Sequence, residues 1–180
     1  MRPLGLPIRT TCALAICVVW LAVMPAAAGA QSAAPASGRT WSGLGYIFGG
    51  IGAVTGGGSS DATLHVGGGF EATAWDALGI GAEIGYLAPF ESLADGIGIF
   101  SVNAAYHFFA RQPSHRARPF VTGGYTLGFR SGSENLWNVG GGVDYWFRSK
   151  TGLRIEFRDH VWTGEGTEQF WGVRIGLIIR

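Results

Sequence analysis

Residues 152–162 read GLRIEFRDHVW, and the alternation inside this stretch decides the fold. Leu153, Ile155 and Phe157 alternate with Arg154, Glu156, Arg158 and His160, so an extended chain puts apolar groups on one face and ionisable groups on the other. In a soluble sheet the charged face meets water and the apolar face makes the core. In a membrane-spanning barrel the order inverts: the apolar face meets lipid and the polar face closes around a lumen.

The same period-two pattern recurs along the chain, broken by turn-rich segments. Eight runs are read: 41–51, 63–75, 78–88, 96–109, 119–129, 135–147, 152–162 and 169–180. Their apolar parities begin with Leu44, Tyr46 and Phe48, then Leu64, Val66, Phe70 and Ala72, then Leu78, Ile80, Ile84 and Tyr86. The later runs give Phe100, Val102, Tyr106 and Phe108; Val121, Tyr125, Leu127 and Phe129; Trp137, Val139, Val143, Tyr145 and Phe147; and Trp171, Val173, Ile175, Leu177 and Ile179. The opposite parities are glycine, Ser, Thr, Asn and isolated ions, such as Gly79, Gly81, Glu83 and Gly85.

Composition chooses between the two barrels. A soluble surface carries charge at roughly 25–35% of positions, whereas this chain is 14% charged and Lys150 is its only lysine. The polar parity therefore has the make-up of a crowded interior, where glycine leaves room for a few long side chains. Glu71, Glu83, Asp144, Arg154, Glu156, Arg158 and Arg174 share that parity. Unpaired charges in a narrow lumen are costly, so these residues are expected to form a cross-barrel network. Aromatics gather near run ends, Tyr86, Phe129, Trp137 and Trp171 toward one rim and Tyr106, Phe108, Tyr145 and Phe147 toward the other, as two interfacial girdles would require.

The N-terminus sets the compartment. Arg2 and Arg9, the apolar run TCALAICVVWLAV and the small residues AAAGA ending at Ala30 read as a secretory signal over 1–30, cleaved near Gln31. The run is too short for a good membrane-spanning helix, and Ile16 before Cys17 does not fit a lipobox. Residues 31–40 (QSAAPASGRT) read as a linker, and 41–180 as one barrel domain with no room for a second. Both cysteines, Cys12 and Cys17, lie in the leader, so disulfides and thiolate metal sites are not expected in the mature chain. The leader also carries two of the 13 basic residues; the remaining 11 face 12 acidic ones, which offers nothing to a nucleic-acid partner. Of the 31 glycines 29 remain, far too many for a helical protein.

VGGGFEATAW from Val66 and VGGGVDYWF from Val139 echo each other, each placing an acid, Glu71 or Asp144, on the inward parity. No helix pattern follows either, so neither reads as a phosphate loop.

With PFVTGGYTLGF, NVGGGVDYWF and the closing FWGVRIGLIIR, the chain from Trp41 to Arg180 resembles the small eight-stranded outer-membrane β-barrel proteins similar to the OmpA transmembrane domain and OmpX. It departs from their usual aromatic last residue, closing on Ile179 and Arg180. The resemblance implies an all-β fold: an eight-stranded, antiparallel, up-and-down transmembrane barrel with a polar, glycine-rich lumen. It implies a location in the outer membrane of a Gram-negative envelope, reached through the periplasm, with both chain ends periplasmic. Outward loops are then expected at 52–62, 89–95, 130–134 and 163–168, and inward turns near 76–77, 110–118 and 148–151. The outward loops are mainly acidic; the inward turns are mainly basic.

The resemblance implies as partners outer-membrane lipid and lipopolysaccharide, and the barrel-assembly machinery during biogenesis, for a monomer without cofactor or metal. The function expected is an envelope or surface-contact barrel with a plugged lumen, not an open porin and not an enzyme. The alternative is a lipid A-modifying enzyme of deacylase type, with His160 and Glu156, four residues apart on one face, as candidate catalytic groups. Against it, the serine expected two residues after the histidine is Trp162, and His160 points away from lipid by parity. His65 and His107 read as hydrogen-bonded lumen residues without metal-ligand spacing. A secreted, lipocalin-like carrier is the least supported reading, since it needs a charged exterior.

Overall fold

A computed structural model describes residues 41–56, 59–74, 77–109, 116–163 and 167–180. The expected leader and linker, and Asp76, Arg111 and Glu165 of the expected turns and loops, lie outside the described residues. Eight strands follow in chain order: β1 Trp41–Gly56, β2 Ser59–Ala74, β3 Leu78–Pro89, β4 Ile97–His107, β5 Ala117–Phe129, β6 Ser133–Trp146, β7 Thr151–Thr163 and β8 Thr167–Ile179. Each pairs antiparallel with its sequence neighbours, and β8 pairs with β1 to close the barrel.

The register fixes the barrel's dimensions. Cross-strand pairing runs from Leu44 through Glu71, Gly81, Asn103, Gly124, Asn138, His160 and Phe170 back to β1 at Val54, ten residues along (54 − 44). Eight strands with that stagger, at roughly 3.3 Å per residue and roughly 4.8 Å between strands, tilt by about 40° and form a wall of about 8 Å backbone radius. A lumen of that radius has room for only a few large side chains.

In β2 to β8 the apolar parity faces outward, where Phe70, Ile80, Phe100, Val121, Val139, Ile155 and Ile175 are all exposed. β1 is the exception and corrects the sequence reading. Leu44, Tyr46 and Phe48 point into the lumen, and the outward side of β1 carries Trp41, Ile47 and Ile51 among glycines. The lumen accepts these large groups because glycine faces them: Tyr46 pairs with Gly69, and Phe48 pairs with Gly67 on one side and Gly176 on the other. A β-carbon at Gly67 would lie 2.7 Å from the Phe48 ring. Tyr46, Trp146 and Ile178, with Leu44 and Phe48, make an apolar cluster inside the barrel.

The expected loop at 52–62 is also corrected. Pairing continues without a break from Gly52 with Thr63 to Gly56 with Ser59, so β1 and β2 form one long hairpin. Alternating small and polar residues hid this extension, because glycine and serine signal turns as readily as narrow strands. The 89–95 connection folds back over the wall instead of projecting. The Tyr86 hydroxyl donates to the Leu93 carbonyl at 2.6 Å, and Ala88, on an outward parity, is completely covered. Arg130 holds the turn by donating to the Asp95 carbonyl and carboxylate, each at 2.7 Å.

Candidate functional site

The lumen holds the chemistry, and its ions sit beside glycines in the strand register. Glu71 pairs with Gly81, Glu83 with Gly69, Glu156 with Gly142, Arg154 with Gly176, Arg158 with Gly140 and Gly172, and Arg174 with Gly50. A missing β-carbon on the adjacent strand is the space in which a long side chain lies down. At Gly140 an added β-carbon would come within 3.1 Å of the Arg158 side chain.

The ions fall into two groups. Nearer the rim where β1 starts and β8 ends, Arg154 donates to Asp144 through Nε at 2.7 Å and Nη2 at 2.9 Å, and its Nη2 lies 3.5 Å from Glu71. His107 sits between two acids, Nε2 at 2.5 Å from Glu71 and Nδ1 at 3.8 Å from Asp144. At mid-height Arg174 reaches from β8 to β3, donating to both oxygens of Glu83 at 2.6 and 2.8 Å, and also to Glu156 at 2.9 Å. Arg158 donates to Glu156 at 2.8 Å and to Asn138 at 2.5 Å, while the Tyr46 hydroxyl donates to Glu83 at 3.1 Å. Buried guanidiniums need this degree of pairing, because an unmatched ion in a low-dielectric interior costs several kcal/mol. They also lie over aromatic faces, Arg174 at 4.2 Å from the Phe48 centroid and Arg154 at 4.4 Å from that of Phe120.

Toward the other rim ions give way to neutral groups. Asn138 donates to Asn103 and to Thr126, both at 2.9 Å, and Ser101 and Thr126 share a hydrogen bond of 2.8 Å. His160 Nδ1 lies 3.3 Å from the Thr126 hydroxyl. The two candidate catalytic groups are therefore not brought together: Glu156 is engaged by Arg158 and Arg174, and His160 is turned to Thr126. His65 and His160 pack edge to face, 6.0 Å between centroids, and Nε2 of each is buried without a hydrogen-bond partner. Among the described residues no three His, Cys, Asp or Glu side chains are grouped to hold a metal ion.

Outside, the eight aromatics near the strand ends are all exposed, from Tyr86 at 38% to Trp137 at 64%. Phe108 and Phe147 lie one residue beyond β4 and β6. Sequence reasoning missed Tyr46 and Phe48 as lumen residues, and it also missed Asp159. This acid sits on the outward parity of β7, paired with Val139 and Trp171, and one of its oxygens is buried without a partner. The signal was visible in the opening stretch, where Asp159 breaks the apolar parity after Phe157.

A closed antiparallel wall with hydrocarbon side chains outside and ion pairs inside defines an integral β-barrel of a membrane. The chain belongs to the outer membrane protein beta-barrel domain family, which matches residues 17–178. It is a protein of the Gram-negative outer membrane. Among solved structures it is similar to the N-terminal β-barrel domain of Pseudomonas aeruginosa OprF, with a TM-score of 0.53 and 17% identity, covering 75% of this chain and 97% of that one. It is also similar to Neisserial surface protein A, with a TM-score of 0.58 and 11% identity, covering 79% and 99%. At these identities the likeness concerns the fold. No curated protein matches the chain by sequence.

Proposed function

We propose that this protein is a monomeric, non-enzymatic outer-membrane barrel with a plugged lumen, serving envelope integrity or surface contact and conducting no steady flow of solutes. The observation that carries the reading is Arg174, anchored on β8 and bonded across the lumen to Glu83 on β3 and Glu156 on β7. Opening a water-filled path at that height requires separating three buried ions. The cavities beside this network are small, about 10 Å³ next to Tyr46 and Arg174 and about 10 Å³ next to His65 and Arg158. Lipid and lipopolysaccharide are the surroundings the exposed apolar wall fits, and assembly proceeds through the barrel-insertion machinery, with both chain ends on the periplasmic side. The reading includes no nucleic-acid partner, since 12 acidic residues outnumber the 11 basic ones that follow the leader.

The test is electrical. Purified protein in planar bilayers is expected to give no sustained single-channel current, and Arg174→Ala is expected to introduce one. A steady, salt-dependent conductance of the wild type would reverse the assignment.

Against the lipid A-modifying alternative stands the burial of His160, 2% exposed on the lumen side of the wall. Lipid A incubated with the protein is expected to keep all its acyl chains by mass spectrometry. Acyl loss that disappears in His160→Ala would establish the enzyme instead. The exposed apolar wall and the family membership leave no place for the soluble carrier.

A further inference from the structure

The lumen mouth at the rim bearing Trp41 and Arg180 is built differently from the rest of the interior. A cavity of about 20 Å³ opens there, lined among others by Ser42, Thr73, Arg118, Trp146 and Arg180. Its polar groups are mostly donors. Arg118 Nε and Trp146 Nε1 are buried with no hydrogen-bond acceptor, and Trp146 is only 7% exposed. The Arg180 guanidinium lies 4.3 Å from the centroid of the Trp146 ring. The acids at the floor of the mouth are already engaged: Asp144 holds Arg154 through both oxygens, and Glu71 accepts from Thr73 and faces His107. On the surrounding rim Arg116, Arg148 and Lys150 are exposed.

Two donors without acceptors, Arg118 Nε and Trp146 Nε1, beside the Arg180 guanidinium, whose Nε already donates to the Ser149 carbonyl at 3.2 Å, and a positive rim define what would fit. A planar guanidinium matches phosphate oxygens two at a time, and clustered cations raise the local concentration of anions. We propose that this mouth is a binding site for a phosphate group, held between Arg118 and Arg180 with the Trp146 indole N–H and the Ser42 hydroxyl as further donors. The phosphate comes either from the headgroup of an anionic phospholipid or from solution. Asp144 sets the limit of entry, since its carboxylate repels an anion that descends past the rim.

The experiment uses full-length mature protein in detergent and counts adducts by native mass spectrometry. It titrates short-chain phosphatidylglycerol, inorganic phosphate and, as a probe with no net charge, short-chain phosphatidylcholine. A saturable adduct is expected with phosphatidylglycerol or phosphate and not with phosphatidylcholine. Loss of one charged hydrogen-bonding partner in Arg118→Gln is expected to weaken it roughly tenfold. Arg130→Gln, which removes the same charge at the opposite rim, is expected to leave it unchanged. Ser42→Asp puts an acid into the mouth without touching Arg118 and is expected to abolish the adduct, with heat-shifted gel mobility verifying that each variant folds. Saturation by phosphatidylglycerol alone identifies a headgroup site; saturation by inorganic phosphate identifies a site for the free anion. No saturable adduct with either probe, or equal weakening by Arg118→Gln and Arg130→Gln, would overturn the proposal. Detergent solution makes the result independent of membrane orientation and of whether the lumen conducts.

Discussion

β7 and β1 both pair with β8, yet they build opposite interiors. β7 turns Arg154, Glu156, Arg158 and His160 inward and leaves Leu153, Ile155 and Phe157 to the lipid. β1 turns Leu44, Tyr46 and Phe48 inward and shows lipid mostly glycine and isoleucine. The difference teaches that entry to this lumen is granted by fit and not by polarity. The aromatic bodies from β1 are the walls against which the guanidiniums from β7 and β8 rest, Phe48 under Arg174 and Tyr46 at 5.1 Å from Arg154. Remove either side and the other loses its support.

The most damaging break is expected on the ionic side. Arg174→Ala strands the buried Glu83 and Glu156 together without their shared cation and should cost about 3–5 kcal/mol in a urea midpoint measured in detergent micelles or vesicles. If the midpoint does not move, the mid-height network contributes nothing to stability. Next comes the outward face of the same region. Ile155→Arg places a charge against hydrocarbon and should cost about 2–4 kcal/mol in lipid vesicles if the residue lies near the bilayer midplane. A neutral result would place Ile155 at an interface.

The aromatic side is probed through its glycines. At Gly67 a β-carbon meets the Ile84 carbonyl at 2.5 Å and the Phe48 ring at 2.7 Å, whereas at Gly49 nothing lies within 4 Å. Gly67→Ala should therefore destabilise by about 1–3 kcal/mol, while Gly49→Ala should be neutral or mildly favourable. Equal effects would mean that both the Phe48 ring and the Ile84 backbone give way without cost. Tyr46→Phe links the two sides with a smaller change: it removes the hydrogen bond to Glu83 and is expected to cost about 0.5–1.5 kcal/mol by the same assay.

The smallest effect belongs to the turn outside the wall. Asp95 is held below the ordinary carboxylate range first by the Ser92 hydroxyl and then by Arg130. A depressed folded value means that this contribution is fully present above the ordinary carboxylate value and is lost as pH falls through the lowered one. Amide protection across residues 92–96, taken relative to the intrinsic exchange rate at each pH, should therefore drop only in that acidic window. Protection already lost at neutral pH would remove the clasp from consideration.

Much of the architecture is legible in the chain, and particular residues explain where legibility stops. From β2 to β8 the faces follow from alternation because lipid demands a continuous apolar stripe, and Phe100 or Ile175 cannot satisfy it from the inside. β1 escapes the rule. Its outward positions, Gly43, Gly45 and Gly49, are too small to advertise a stripe, and Tyr46 and Phe48 look like lipid-facing aromatics until Gly67 and Gly69 are seen beside them. The β1–β2 hairpin escapes for a related reason: GGGSS carries the composition of a turn, and only cross-strand hydrogen bonds extend the strands through most of the segment.

Parity placed the seven ions on one side of the wall without naming their partners. That Arg174 reaches Glu83, 91 residues away along the chain, or that Glu156 turns from His160 to two arginines, depends on a stagger of ten around a closed ring. The chemistry of each face is local, carried by every second residue. Closure is collective, since the register of each pair constrains the next, and it alone decides which charges meet, which glycines make room for them, and which donors at the mouth are left without an acceptor.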